Sequence, residues 1–395
     1  MYTPFNSRHF TTHVDPVSGV KIAVLSTRMA QIQKGFYFVN SGWSDDGRYL
    51  WYFCCFPPAS GDCTAVIDFL TDEIRLFPEV RGSGHMVDHR TGEIYWATNA
   101  GIYKRTPHAE DKAVLVAAMP AYIKAMRVSE AGNHIKYTSD YKELVTEIQT
   151  SEGSVIGSFD VVSGAFTEWY RTIPGIKYNH AQVNPIDKDL CMCAHEFTGN
   201  TPPALVDGVY PRLQLIGRDG KRTMLKPYKN FGGHEFWAPD GKSIYYQNSR
   251  YRDFGSGEVF GCEIGTLLQD MLDGSEPKVV CEVNIPGGAG VWHAHCSSDQ
   301  KYFVMDGAYP TGEFPLFRGC ATTVHFYNRE TGKMFQFLTK NPIVEGWSLD
   351  NQGIYHIDPH PHFCLDDKYI TFTTTICGRV DVAIVSVEEL IQATS

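Results

Sequence analysis

Seven copies of one short turn-and-strand signature predict an all-β protein, a seven-bladed β-propeller formed as one domain over residues 1–395. Two further observations support that class. Aromatic residues reach 13% and there are 36 Gly and 21 Pro, a composition of many short strands and turns. A strand-turn-strand unit at the N-terminus also supplies what the C-terminal unit lacks, so the last blade is expected to be closed by the N-terminal strand.

The signature is a polar turn with Asp-Gly or a close substitute, followed by an apolar or alternating strand. It reads at Ser44–Tyr52, His89–Ala97, Ser129–Tyr137, Pro185–Met192, Trp237–Tyr246, Ser298–Met305 and Leu365–Phe372. Asp-Gly turns supply the positive φ of tight hairpins. Seven copies in 395 residues give about 56 residues per repeat, room for four strands each. A second half-repeat follows most copies, as at Gly157–Phe166 and Val324–Met334. The N-terminal unit is Asp15–Val24, and after the seventh copy only Val380–Val387 reads as a clear strand. No Ser/Gly-rich or charged linker divides the chain. The segment Ile264–Leu272 is helix-compatible and reads as an insertion in the fifth blade; Val387–Gln392 also reads as helical.

Lys plus Arg total 35 and Asp plus Glu 45, a net charge of −10. That balance argues against a partner held by a broad basic field, nucleic acid above all, and leaves small anions open to a local cluster. Apolar runs such as Val382–Val385 are far below the ~20 residues of a membrane span. The first 16 residues have no apolar core of the signal-peptide kind. The 11 cysteines form no C-x-x-C and read as mostly buried free thiols, which predicts a cytoplasmic protein.

Candidate functional residues lie just ahead of the turns, where successive blades converge on the axis. These are His85, His180, His234 with Glu235, His293 with His295, and the run Tyr355–Phe363; His195 and Glu196 follow the fourth turn. Each histidine taken singly is more often structural. Their recurrence at similar points of a ring points to one shared site. His293, Asp358 and His360 offer two imidazoles and a carboxylate, a donor set for Mn, Fe, Zn or Ni. Alternate residues of a strand share a face, so His356, Asp358, His360 and His362 are candidates to point together, against the two prolines of the run. Arg212 opens a strand and suits either a rim ion pair or a bidentate clamp on a carboxylate.

His234-Glu235-Phe236-Trp237-x-Pro-Asp-Gly resembles the signature of the oligogalacturonate lyases, a family of cytoplasmic seven-bladed propeller enzymes. Pro359-His360-Pro361-His362-Phe363 is similar to that family's His-Pro-His-Pro-x-Phe segment, and His195-Glu196 to its His-Glu-Gly segment. The resemblance implies β-elimination at a uronate with a histidine base and a manganese ion. Carried over, the base falls on His234 and the metal ligands on His293, Asp358 and His360. The family has His at the position of Asp358 and Gln at that of Tyr355. Those departures imply a metal that is altered, weaker or absent, with His356 a further candidate ligand, and a substrate other than oligogalacturonate.

The chemistry asks for the same residue types. Removal of a C5 proton needs a base of near-neutral pKa, and His234 fits. Charge developing on the adjacent carboxylate needs a metal or Arg212. The leaving O4 needs an acid: water, His195 or Tyr355. His85, His180, Glu196, Glu235 and Tyr355 complete the set as substrate-binding groups, with Glu196 and Glu235 equally suited to orient neighbouring histidines. The expected substrate is a short anionic oligosaccharide. The competing expectations are a lyase for a glucuronate- or rhamnose-containing glycan, and a non-catalytic propeller that binds sugars or proteins.

Overall fold

The structure is a computed structural model that describes residues 3–196, 212–225, 231–249, 251–252, 259–260, 266–282, 291–308, 322–342, 344, 355 and 357–395. Seven antiparallel sheets follow one another along the chain as blades. The described strands of the first six lie within 32–77, 83–118, 128–171, 177–224, 231–282 and 291–341. The seventh joins 362–386 to the N-terminal residues 10–25. The expected fold class is therefore the observed one.

Closure uses a hairpin. Lys21–Leu25 pairs with Asp381–Ser386 in the register Ile22↔Val385, Ala23↔Ile384, Val24↔Ala383, and Phe10–Val14 adds a fifth strand outside it. Val20, Ile22 and Val24 then pack with Val304, Phe326 and Phe337 of the sixth blade, so the ends of the chain hold each other in a shared apolar layer.

Five turns use one device. The backbone N–H of Arg48, Lys142, Asp189, Lys242 and Lys301 donates to the carboxylate two residues earlier, at 3.0, 3.3, 3.0, 3.0 and 3.1 Å. Short acidic side chains favour turns for this reason.

Two readings are corrected. Thr266–Met271 is a strand paired on both sides, with Ser243–Ser249 and Lys278–Glu282, where a helix was expected. Leu267 and Leu268 are both buried, as a strand covered on two faces requires, and that packing outweighs the helical preference of Leu, Gln and Met. The third repeat is also out of register. Ile135–Tyr137 is part of that blade's inner strand, and the equivalent turn is Ser139–Lys142, ahead of Glu143–Thr150.

The helix expected near the C-terminus runs Val387–Thr394 and seats Leu390 against the sixth and seventh blades. No helix of the described residues is long and apolar enough to cross a membrane.

Candidate functional site

Four inner strands carry a β-bulge at the same height. Gly84-His85 oppose Trp96, His180-Ala181 oppose Cys193, His234-Glu235 oppose Tyr246, and Trp292-His293 oppose Asp306. A bulge re-aims side chains and interrupts the ladder. In three of them the first residue has a left-handed backbone: Gly84 at φ 62°, His180 at 56° and His234 at 51°. His360, ahead of the seventh inner strand, has φ 46°. Left-handed backbone strains a side-chain-bearing residue, and such strain collects where geometry serves function. At Gly84 a Cβ would also stand 2.8 Å from Ile135 Cγ1. His180→Ala is accordingly expected to be about 1–2 kcal/mol less stable than His180→Gly in urea unfolding.

Three of the bulges bring His180, His234 and His293 to the axis, where Tyr37 of the first blade stands. Its ring centroid lies 5.3 Å from His134, 5.7 Å from His180, 5.7 Å from His293 and 4.8 Å from His360. Rings from the third, fourth, sixth and seventh blades thus meet on one side chain. His234 is 4.3 Å from His293, and His293 is 4.2 Å from His360.

His293, Asp358 and His360 bring one donor atom each to within 4.8 Å of one another, all three buried. Asp358 Oδ2 is 3.9 Å from His360 Nε2. Two imidazoles and a carboxylate at this spacing fit a divalent cation of the Mn, Fe or Zn type. His356 lies outside the described residues. His362 takes another direction from His360: its Nδ1 is 3.2 Å from the His360 carbonyl, and its ring approaches His295. Asp358, His360 and His362 therefore do not share a strand face, because the inner strand begins only at His362.

Beside this trio lies a buried charge network. Arg212 Nη1 donates to Glu235 Oε2, and Arg212 Nη2 donates to Glu196 Oε1 at 2.5 Å. His180 Nδ1 is 3.1 Å from Glu235 Oε1. Burial alone would raise the Glu235 carboxyl; the Arg212 charge and the His180 contact outweigh it and hold Glu235 well below the usual carboxylate range. Burial also opposes the Arg212 charge, and the two glutamates more than restore it. Glu196 and His180 are half-buried, whereas Arg212 and Glu235 are enclosed.

Burial pushes His234 well below the ordinary histidine value, and the neighbouring His293 and Arg212 act in the same direction. Its imidazole is therefore neutral, a base form, near pH 7. Among the described residues its buried Nδ1 has no hydrogen-bond partner.

Other candidates stand elsewhere. His195 faces Tyr178 at 5.3 Å, on the opposite side of its strand from Glu196, and burial lowers its pKa. His85 packs edge-on against Phe53 at 4.8 Å, and burial takes it down to about 4. Tyr355 donates its hydroxyl to the Ala59 carbonyl and packs with Ile32, Cys55 and Val380.

Three residues at the centre escaped sequence reasoning. His134 was hidden by the slipped register of the third repeat. Tyr37 arrives from a connecting segment with no repeat signature. Asp306 lies on a second strand: its Oδ2 meets His293 Nδ1 at 2.9 Å, and it also accepts the backbone N–H of His293 at 2.9 Å and of His360 at 3.2 Å. The shifted Asp140 turn was the available signal for His134.

Two residues further along each strand, Gln182, Phe236 and His295 line a cavity of about 380 Å³ with Val39 and Lys136. Phe38 touches both regions: its ring centroid is 6.2 Å from Phe236 and 5.3 Å from His293.

Fold and site together define a seven-bladed propeller with a buried His/Asp donor trio and an Arg-Glu network at its axis. No family model matches the chain. An oligogalacturonate lyase of Dickeya dadantii is 30% identical over 208 residues, 51% of this chain and 47% of that protein. An oligogalacturonide lyase of Pectobacterium atrosepticum is 27% identical over 205 residues, again 51% and 47%. The chain thus spans about half the length of the curated relatives it matches. A solved structure described as an oligogalacturonate lyase in complex with manganese superposes with a TM-score of 0.70 at 17% identity, covering 95% of this chain and 96% of its own. The chain is similar to the oligogalacturonate lyases in sequence over about half its length and in fold over nearly all of it.

Proposed function

We propose that the chain is a lyase that cleaves short uronate-containing oligosaccharides, oligogalacturonides first, by β-elimination. The observation that carries this reading is the meeting of neutral His234, the His293-Asp358-His360 trio and Arg212 at one point on the axis. The curated relatives named above support the substrate class.

His293, Asp358 and His360 would hold a divalent metal, manganese by analogy with the solved relative. When bound, such an ion supplies positive charge to a substrate carboxylate. A ring nitrogen of His234 takes the C5 proton. The C5–H electron pair becomes the C4=C5 double bond, the C4–O4 bond breaks, and solvent water protonates the departing O4. Arg212 binds the substrate carboxylate by releasing Glu196, the more exposed of its two partners, while Glu235 keeps it oriented. The half-buried His180, held by Glu235, contacts the sugar. The nine described cysteines are free thiols, eight of them buried, which supports a reducing, cytoplasmic setting.

Purified protein mixed with galacturonate oligomers and Mn²⁺ is expected to generate an unsaturated product that absorbs in the ultraviolet. Absence of that product with every uronate oligomer tested would overturn the reading. A second expectation concerns Arg212. Glu196→Gln removes the negative charge that competes for the guanidinium, so KM for an anionic oligomer is expected to fall several-fold with kcat little changed, as steady-state kinetics at low salt would record.

A further inference from the structure

We infer that Asp306 is a positioning residue that prepares His293 and His360 to accept a metal, an inference that rests on the metal-assisted reading above. The four bulged inner strands are equivalent by position, so the residue opposite each bulge is a matched comparison. Three of those residues are Trp96, Cys193 and Tyr246. Only the sixth blade, among these four, places a carboxylate there.

That carboxylate has three partners. A bulge leaves a backbone N–H without its ladder acceptor, and Asp306 Oδ1 takes the His293 N–H at 2.9 Å. Its Oδ2 takes the His360 backbone N–H at 3.2 Å and lies 2.9 Å from His293 Nδ1. One fully buried side chain therefore ties a donor of the sixth blade to the segment bearing a donor of the seventh. Beside a carboxylate, His293 carries its proton on Nδ1, which leaves the Nε2 lone pair for a metal.

The carboxylate also adds negative charge close to the trio without being one of its donors. Asn at 306 has nearly the same shape and reverses the hydrogen-bond logic. Its Oδ1 can still accept the His293 N–H. Its amide then faces His293 Nδ1 and the His360 N–H as a donor, which favours the tautomer with the proton on Nε2. That tautomer has no lone pair to offer a metal at Nε2.

The test is Mn²⁺ titration of the full-length wild type and Asp306→Asn by calorimetry, with the melting temperature of each measured with and without Mn²⁺. The expected result is a 10–100-fold weaker Mn²⁺ affinity in the variant and a smaller metal-induced rise in melting temperature. Equal affinity in the two proteins would overturn the role of Asp306. No Mn²⁺ or other divalent binding by the wild type would instead overturn the metal reading. A second measurement needs no folded variant at this position. Imidazole ¹⁵N shifts of metal-free wild type, with His293 assigned through His293→Gln, are expected to give the Nδ1–H tautomer. An Nε2–H tautomer at His293 would overturn the inference even where the titration agreed.

Discussion

His234→Asn is expected to lower turnover of a galacturonate oligomer by about 10²–10⁴-fold, the range a positioned general base contributes. Asparagine is the informative replacement because the backbone there is left-handed at φ 51°, a conformation Asn adopts far more readily than Ala. The variant should therefore fold, and loss of rate can be read as loss of the base. Binding is expected to change little, since the proposed carboxylate contacts are made by other residues. Near-normal ultraviolet product formation by this variant would remove His234 from the mechanism.

Glu235→Gln is expected to cost about 3–5 kcal/mol of stability, because it leaves the enclosed Arg212 guanidinium without its buried counter-charge. Glu196→Gln should cost far less, since Glu196 is partly solvated. Urea unfolding of both variants makes the comparison. The pH dependence has a definite sign. The folded value of Glu235 is depressed below its ordinary 4.5, so its contribution is fully present above about pH 4.5. It is lost as the pH falls from there through the depressed value. Wild type should therefore lose stability on acidification below pH 4.5 more steeply than Glu235→Gln.

The ring was legible because turn chemistry is local. An Asp or Asn that bonds a backbone N–H two residues on announces itself in sequence, and a repeat once recognised needs no long-range guess. The same locality caused the slip in the third blade. Gly132 with Asn133 imitates the turn that Asp140 with Lys142 makes, and accepting the imitation concealed His134. Thr266–Met271 was misread because Leu-Leu-Gln-Asp-Met carries helical propensity, and only its two flanking strands decide otherwise. In the site, His180, His234, His293, Asp358 and His360 were visible by position and chemistry. Their partners were not. Asp306 reaches His293 across a bulge, and Tyr37 reaches four blades from outside any repeat. Neither relation leaves a trace in spacing.

The Tyr37-Phe38 pair also ties the blades together mechanically. Tyr37 touches rings of the third, fourth, sixth and seventh blades, and Phe38 touches Phe236 of the fifth. In a close-packed interior, an inner strand that bears one of these rings cannot shift alone: moving it repacks the pair and, through it, the other blades.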